Sequence, residues 1–143
     1  MGKTVKQISV FVENKAGSLV NITGALAAAG VDIRALSIAD TADFGILRMI
    51  VDDSSHAMEV LRNASCIASV TEVLAVPISD TPGGLHRVLS LLAEENLFIE
   101  YSYAFLSRKE NNAYVIVRVE DNDRAQSHLA QAGIFVAEAD ALT

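Results

Sequence analysis

Two short segments combine residue types that could hold a small zwitterion: Glu13-Asn14-Lys15-Ala16-Gly17-Ser18-Leu19 and Ser79-Asp80-Thr81-Pro82-Gly83-Gly84-Leu85. Each sets a short polar residue, Asn14 or Asp80, three positions before a glycine, where a helix is expected to open. The first N–H groups of a helix have no carbonyl partner and attract a carboxylate, and glycine lets a ligand approach closely. Asn14 or Asp80 could accept hydrogen bonds from an ammonium group, so one turn could hold both ends of an amino acid. The plainer reading is that Asn14 and Asp80 only stabilise their turns, as such side chains often do.

Other chemistry-bearing residues are few. His86 directly follows Gly83-Gly84-Leu85 and could reach a ligand there, although a solvent-facing helix position accounts for it as well. Tyr101 and Tyr103 are two apart and share one face of an expected strand, in contact with a ligand or packed on the sheet. His56 and His128 fall in expected helices as surface residues. No His, Cys and Asp group has metal-ligand spacing, so no metal or cofactor is expected. The lone Cys66, beside Ile67 and Ala68, reads as a small core residue without a redox role.

These turns must be positioned by a duplicated unit. At an offset of 66, Val10 matches Val76, Gly17 matches Gly83, Leu26 matches Leu92 and Ile33 matches Ile99. Further on the offset becomes 68, pairing Val51 with Val119, Asp53 with Asp121, Ala57 with Ala125 and Leu61 with Leu129. The change falls where a hairpin turn can absorb it. Ile8, Val10 and Val12 alternate as in a half-buried strand, 7–13. Leu19, Ile22, Leu26 and Ala29 recur at helical spacing until Gly30. Strands 31–39 and 46–52, on either side of a turn at 40–44, lead to a helix at 54–63. The second copy predicts a helix after Gly83, strands at 97–106 and 113–120, a helix at 123–131 and a last strand at 134–141. The order is β-α-β-β-α-β twice, an α+β ferredoxin-like pattern with helices on one face of antiparallel sheets. The units are expected at 1–71 and 72–143, and the strand at about 66–79 is shared between them or overlaps.

Composition narrows the function. The 143 residues are 51% hydrophobic with a net charge of −7, which disfavours nucleic acid as a partner. Six basic and seven acidic residues fall in 1–71, against five and eleven in 72–143. The acidic second half reads as a solvated surface. No apolar run is long enough for a membrane span, and the start has no signal-peptide core. Lys6 stands where a myristoylation motif needs Ser or Thr. A cytoplasmic protein without membrane contact is expected.

The stretches Val12–Leu19, Gly30-Val31-Asp32-Ile33 and Asp80–Leu85 resemble the ACT domain, a regulatory module of amino-acid metabolism, over nearly the whole chain, twice. The run from Asp32 to Ala39 is similar to the regulatory subunit of acetolactate synthase. The whole resembles stand-alone tandem ACT proteins without an enzyme domain. By analogy with the serine-sensing end of phosphoglycerate dehydrogenase, the resemblance implies an amino acid held where two units meet. Asn14 and Asp32 would contact it in the first copy and Asp80 in the second, with Gly17, Ser18, Leu19, Gly83, Gly84 and Leu85 around them. Phe98 replaces the equivalent of Asp32, so the copies diverge. The resemblance implies a non-catalytic, allosteric sensor, with a regulated enzyme and a homodimer as its partners. The alternatives are a dimerisation module that has lost its ligand and a small enzyme of the same fold, such as an acylphosphatase. The latter needs a positioned arginine that both turns lack.

Overall fold

The computed structural model describes residues 3–40, 43–106 and 113–138. The chain divides into two compact units, one of Lys6–Thr71 and one of Met1–Val5 with Glu72–Thr143. The first unit runs β1 (Val5–Glu13), α1 (Ser18–Ala28), β2 (Ile33–Asp40), β3 (Phe44–Val51), α2 (Ser54–Asn63) and the start of β4 (Ala68–Ile78). The expected overlap at the junction resolves into this one strand of eleven residues.

In the first unit β1 and β2 both pair antiparallel with β3. Glu13 lies opposite Phe44 and Ile33 opposite Val51, so the C-terminal end of β1 and the N-terminal end of β2 sit at opposite ends of β3. On the other side of β1, the Phe11 N–H donates to the Ile67 carbonyl at 3.0 Å. Alternation sends Ile8, Val10 and Val12 to one face, where they pack with Leu47, Met49 and Val51. Ile22 and Leu26 of α1 and Ala57 and Leu61 of α2 close that core. Leu19, expected on the inner stripe, is instead 38% exposed. Cys66 is partly buried against the core. Gly30 has φ +75°, just beyond the last turn of α1, a geometry that glycine adopts without a side-chain clash.

The second unit holds the rest of β4, then α3 (Gly84–Glu94), β5 (Ile99–Leu106), β6 (Ala113–Val119) and α4 (Asn122–Gln131). β4 and β5 each pair antiparallel with β6. Leu74, Val76, Val115 and Val117 face Val88, Leu92, Ala125 and Leu129 of the two helices. The last strand expected at 134–141 does not form over 134–138, and 139–143 lie outside the described residues. Ile134 and Val136 are buried as a strand would bury them, but only the Ala137 N–H, donating to Ala75 O at 2.8 Å, is shown bonding to the sheet. A single backbone bond makes no ladder.

Candidate ligand-binding turns

The first helix of each copy starts in the same way. Gly17 has φ 89° and ψ −12°, and Gly83 has φ 89° and ψ −4°, both left-handed and both without a side-chain cap. Glycine alone takes this conformation freely, so the repeated residue has a backbone cause. The Ser18 N–H donates to Lys15 O at 3.3 Å and the Asn21 N–H to Gly17 O at 3.0 Å. The N–H groups of Leu19 and Val20 between them have no partner among the described residues. In the second unit the Gly84 N–H reaches Thr81 O and the Arg87 N–H reaches Gly83 O, which leaves Leu85 and His86 likewise open.

The second helices are different. Asp53 accepts from the His56 N–H and Asp121 from the Arg124 N–H, each at 3.1 Å. These aspartates, matched in the repeat, fill the helix start that α1 and α3 leave open. An aspartate directly before each helical run was the signal that could have identified them as caps.

The polar side chains of the two turns are used unequally. The Asn14 Nδ2 donates to the Phe44 carbonyl at 3.2 Å and the Asn14 N–H donates to Asp43 O, tying the turn to the start of β3. Lys15 pairs with Glu13 at 3.1 Å, both well exposed. Asp80 is exposed and has no partner among the described residues. Beside it the Ser79 and Thr81 hydroxyls bond at 3.0 Å. A Cβ at Gly84 would collide with the Ser79 carbonyl, so this glycine lets the helix lie against the end of β4. Its counterpart, Ser18, carries a side chain.

Asp32 was expected close to the Asn14 turn, and that expectation fails. Its N–H donates to Asp52 Oδ1 at 3.0 Å, beyond the far end of β3. Asn14 is held at Phe44, so roughly 23 Å of strand separates the two, at 3.3 Å per residue. The Asp32 carboxylate bonds Arg34 Nη1 at 3.2 Å, and the Arg34 side chain is 7% exposed. Asn14 and Asp32 of this unit therefore cannot hold one amino acid together.

The remaining candidates are scattered. Leu19 lines a small apolar hollow of about 60 Å³ with Leu36 and Ile38 of β2, which are half exposed. The equivalents of Leu36 and Ile38 are Ser102 and Ala104, so this hollow is not duplicated in kind. Leu85 is 42% exposed at the open start of α3. His86 is exposed one turn before Ser90, its Nε2 3.4 Å from the Ser90 Oγ. Tyr101 and Tyr103 are half-buried and lie opposite Arg118 and Ile116 of β6, on the β5 face turned away from the helix core. They stand apart from the turn at Asp80, which follows the end of β4. His128 is not the surface residue expected: it is clasped between Glu94 and Glu95, each ring nitrogen 3.2 Å from a carboxylate. Only the Nε2 contact has hydrogen-bond alignment. No group of three or more His, Cys, Asp or Glu suited to a metal occurs among the described residues.

A sequence model of the ACT domain pair matches residues 3–143. The chain belongs to the ACT domain family. In solved structures it is similar to protein BT0572 from Bacteroides thetaiotaomicron, at 36% identity and a TM-score of 0.90, covering 98% of this chain and 96% of that one. It shares its fold with the regulatory subunit of aspartate kinase from Thermus thermophilus, solved in a ligand-free form, at 19% identity and TM-score 0.60 over 91% of this chain and 93% of that one. The Thermus flavus regulatory subunit is similar at 17% identity and TM-score 0.60, over 90% and 92%. No curated protein matches the sequence. The tandem ACT pair thus consists of two βαββαβ-like units with antiparallel strands and four helices, the second without its final strand among the described residues. No helix among its described residues is long and apolar enough to cross a membrane.

Proposed function

We propose that this ACT pair is a non-catalytic, cytoplasmic regulatory protein that binds a free amino acid and passes the bound state to an enzyme partner. The observation that carries the reading is the turn before α3, where an uncapped helix start sits beside an unpartnered Asp80. The open N–H groups of Leu85 and His86 would receive the ligand carboxylate, and Asp80 would receive its ammonium group. The equivalent turn at Gly17 offers the same backbone donors, but Asn14 is already engaged with Phe44. It therefore makes the weaker site. The aspartate kinase regulatory subunits of the two Thermus species support a regulatory role by likeness of fold.

The test is a thermal-shift screen with the twenty amino acids, followed by calorimetric titration of any that act. Binding stabilises the folded state by about 2.7 kcal/mol at a hundredfold excess over Kd. Stabilisation by one or a few amino acids is expected, lost in Asp80→Ala. A flat response to all of them at millimolar concentration would leave the second reading, a dimerisation module without ligand. The engagement of Asn14 within its own turn favours that second reading for the first copy.

A further inference from the structure

A cavity of about 410 Å³ lies between α4 and the segment after it, and no residue of the turn at Gly83 lines it. Lys3, Gln126, Ala130, Ile134, Phe135 and Val136 are on its walls. Its volume is within the range that small-molecule sites occupy. Two features separate it from an ordinary surface hollow.

The first is Gln126. Only two polar residues, Gln7 and Gln126, are among those buried in the described structure. The Gln7 Nε2 donates to Ser9 Oγ at 3.3 Å, whereas the Gln126 Nε2 is sealed without a partner among the described residues. Buried amides are nearly always bonded, and an unmet one is costly to keep. A half-turn of the carboxamide exchanges its N–H₂ and its oxygen, so Gln126 can offer a donor to an oxygen in the cavity it lines.

The second is charge. In a chain of net charge −7, the described lining of this cavity carries no carboxylate and one cation, Lys3. The rest of the lining is apolar at Ala130, Ile134, Phe135 and Val136 and neutral polar at Ser127 and Gln131. Ile134 and Val136 also belong to the packed core, which fixes that wall. Phe135 is 65% exposed, an aromatic surface that a ligand would cover.

We infer that this cavity is a second ligand site, one that takes a carboxylate with an apolar body. The carboxylate meets the Gln126 amide and the Lys3 ammonium, and the hydrocarbon part lies against Ala130, Ile134 and Phe135. Its chemistry differs from that of the turn at Asp80, which needs an ammonium group.

The test uses octanoate as the probe, followed by amide chemical shifts of the full chain. Octanoate should give saturable shifts over residues 126–136, with octan-1-ol and octylamine binding at least tenfold more weakly. Gln126→Leu, which removes the unmet amide and keeps the bulk, should melt no lower than the parent and bind octanoate at least tenfold more weakly. Lys3→Met should weaken it severalfold. Ala130→Leu, which narrows the cavity, should also weaken it and provides a second variant should Gln126→Leu fold poorly. Octylamine binding as tightly as octanoate, undiminished binding in a folded Gln126→Leu or Ala130→Leu protein, or no shift over 126–136 would each overturn the inference. Shifts confined to Gly83–His86 would overturn it too, and would leave the amino-acid reading of that turn standing.

Discussion

The turn at Gly17 and the turn at Gly83 share one backbone and differ in what their side chains do. Both glycines sit at φ 89° and open a helix that no side chain caps. At the first turn Asn14 reaches across to the Phe44 carbonyl and its neighbours Glu13 and Lys15 pair with each other. At the second, Ser79 and Thr81 bond each other and Asp80 is left over. Duplication conserved the helix start, the part that depends on backbone geometry. The polar groups diverged, so that one turn is self-satisfied and the other retains an unmatched charge. A doubled fold is therefore weak evidence for a doubled site.

Four comparisons test this contrast, from the largest effect to the smallest. Gly84→Ala forces a Cβ into the Ser79 carbonyl, a backbone obstacle that cannot swing aside. A loss of roughly 3 kcal/mol is expected, at the upper end of overpacking costs. Ser18→Ala at the equivalent position should change the melting temperature little. Equal losses at the two sites in denaturant melts would mean that the turns pack alike after all.

Asp80→Ala should weaken amino-acid binding by about 1.5–3 kcal/mol, the range for hydrogen bonds to charged groups, with unliganded stability nearly unchanged. Titration calorimetry on the variant and on Asn14→Ala separates the two turns. An affinity lost in Asn14→Ala and kept in Asp80→Ala would invert the assignment.

Asp53→Ala and Asp121→Ala remove the caps of α2 and α4 and should each cost about 1 kcal/mol. Neither should alter ligand affinity per folded molecule. If either did, the second helices would have to be added to the binding machinery. The smallest of these effects is that of Asn14→Ala on stability, about 0.5 kcal/mol, the low end for a hydrogen bond as exposed as the one to Phe44. A melting temperature unchanged from the parent would show that this bond contributes nothing and would return Asn14 to the candidate ligand contacts.

Asp32 shows where reasoning along the chain runs short. It shares the first copy with Asn14 and carries a charge suited to an ammonium group, so the two were expected to converge. In a strand–helix–strand crossover, however, the helix carries the chain back along the sheet. β2 therefore starts at the end where β1 starts, away from the turn between β1 and α1. The pairing of both strands with β3 makes this explicit, with Asp32 held at Asp52 and Asn14 at Phe44. The last strand failed for a related reason. Ile134 and Val136 alternate correctly, but alternation reports burial and cannot report whether a ladder of backbone bonds exists.

The sequence by itself determined the order of elements through α4, the apolar faces of the two cores and the helix starts after glycines 17 and 83. Periods of 2 and 3.6, and the steric cost of a positive φ, act on neighbours along the chain. Only the tertiary structure decided that Asn14 is engaged, that Asp80 and the Gln126 Nε2 meet no partner among the described residues and that Asp32 stands a strand's length away. Each of these depends on which carbonyl, carboxylate or cavity a distant segment brings to the side chain, and strand register sets that rather than local sequence.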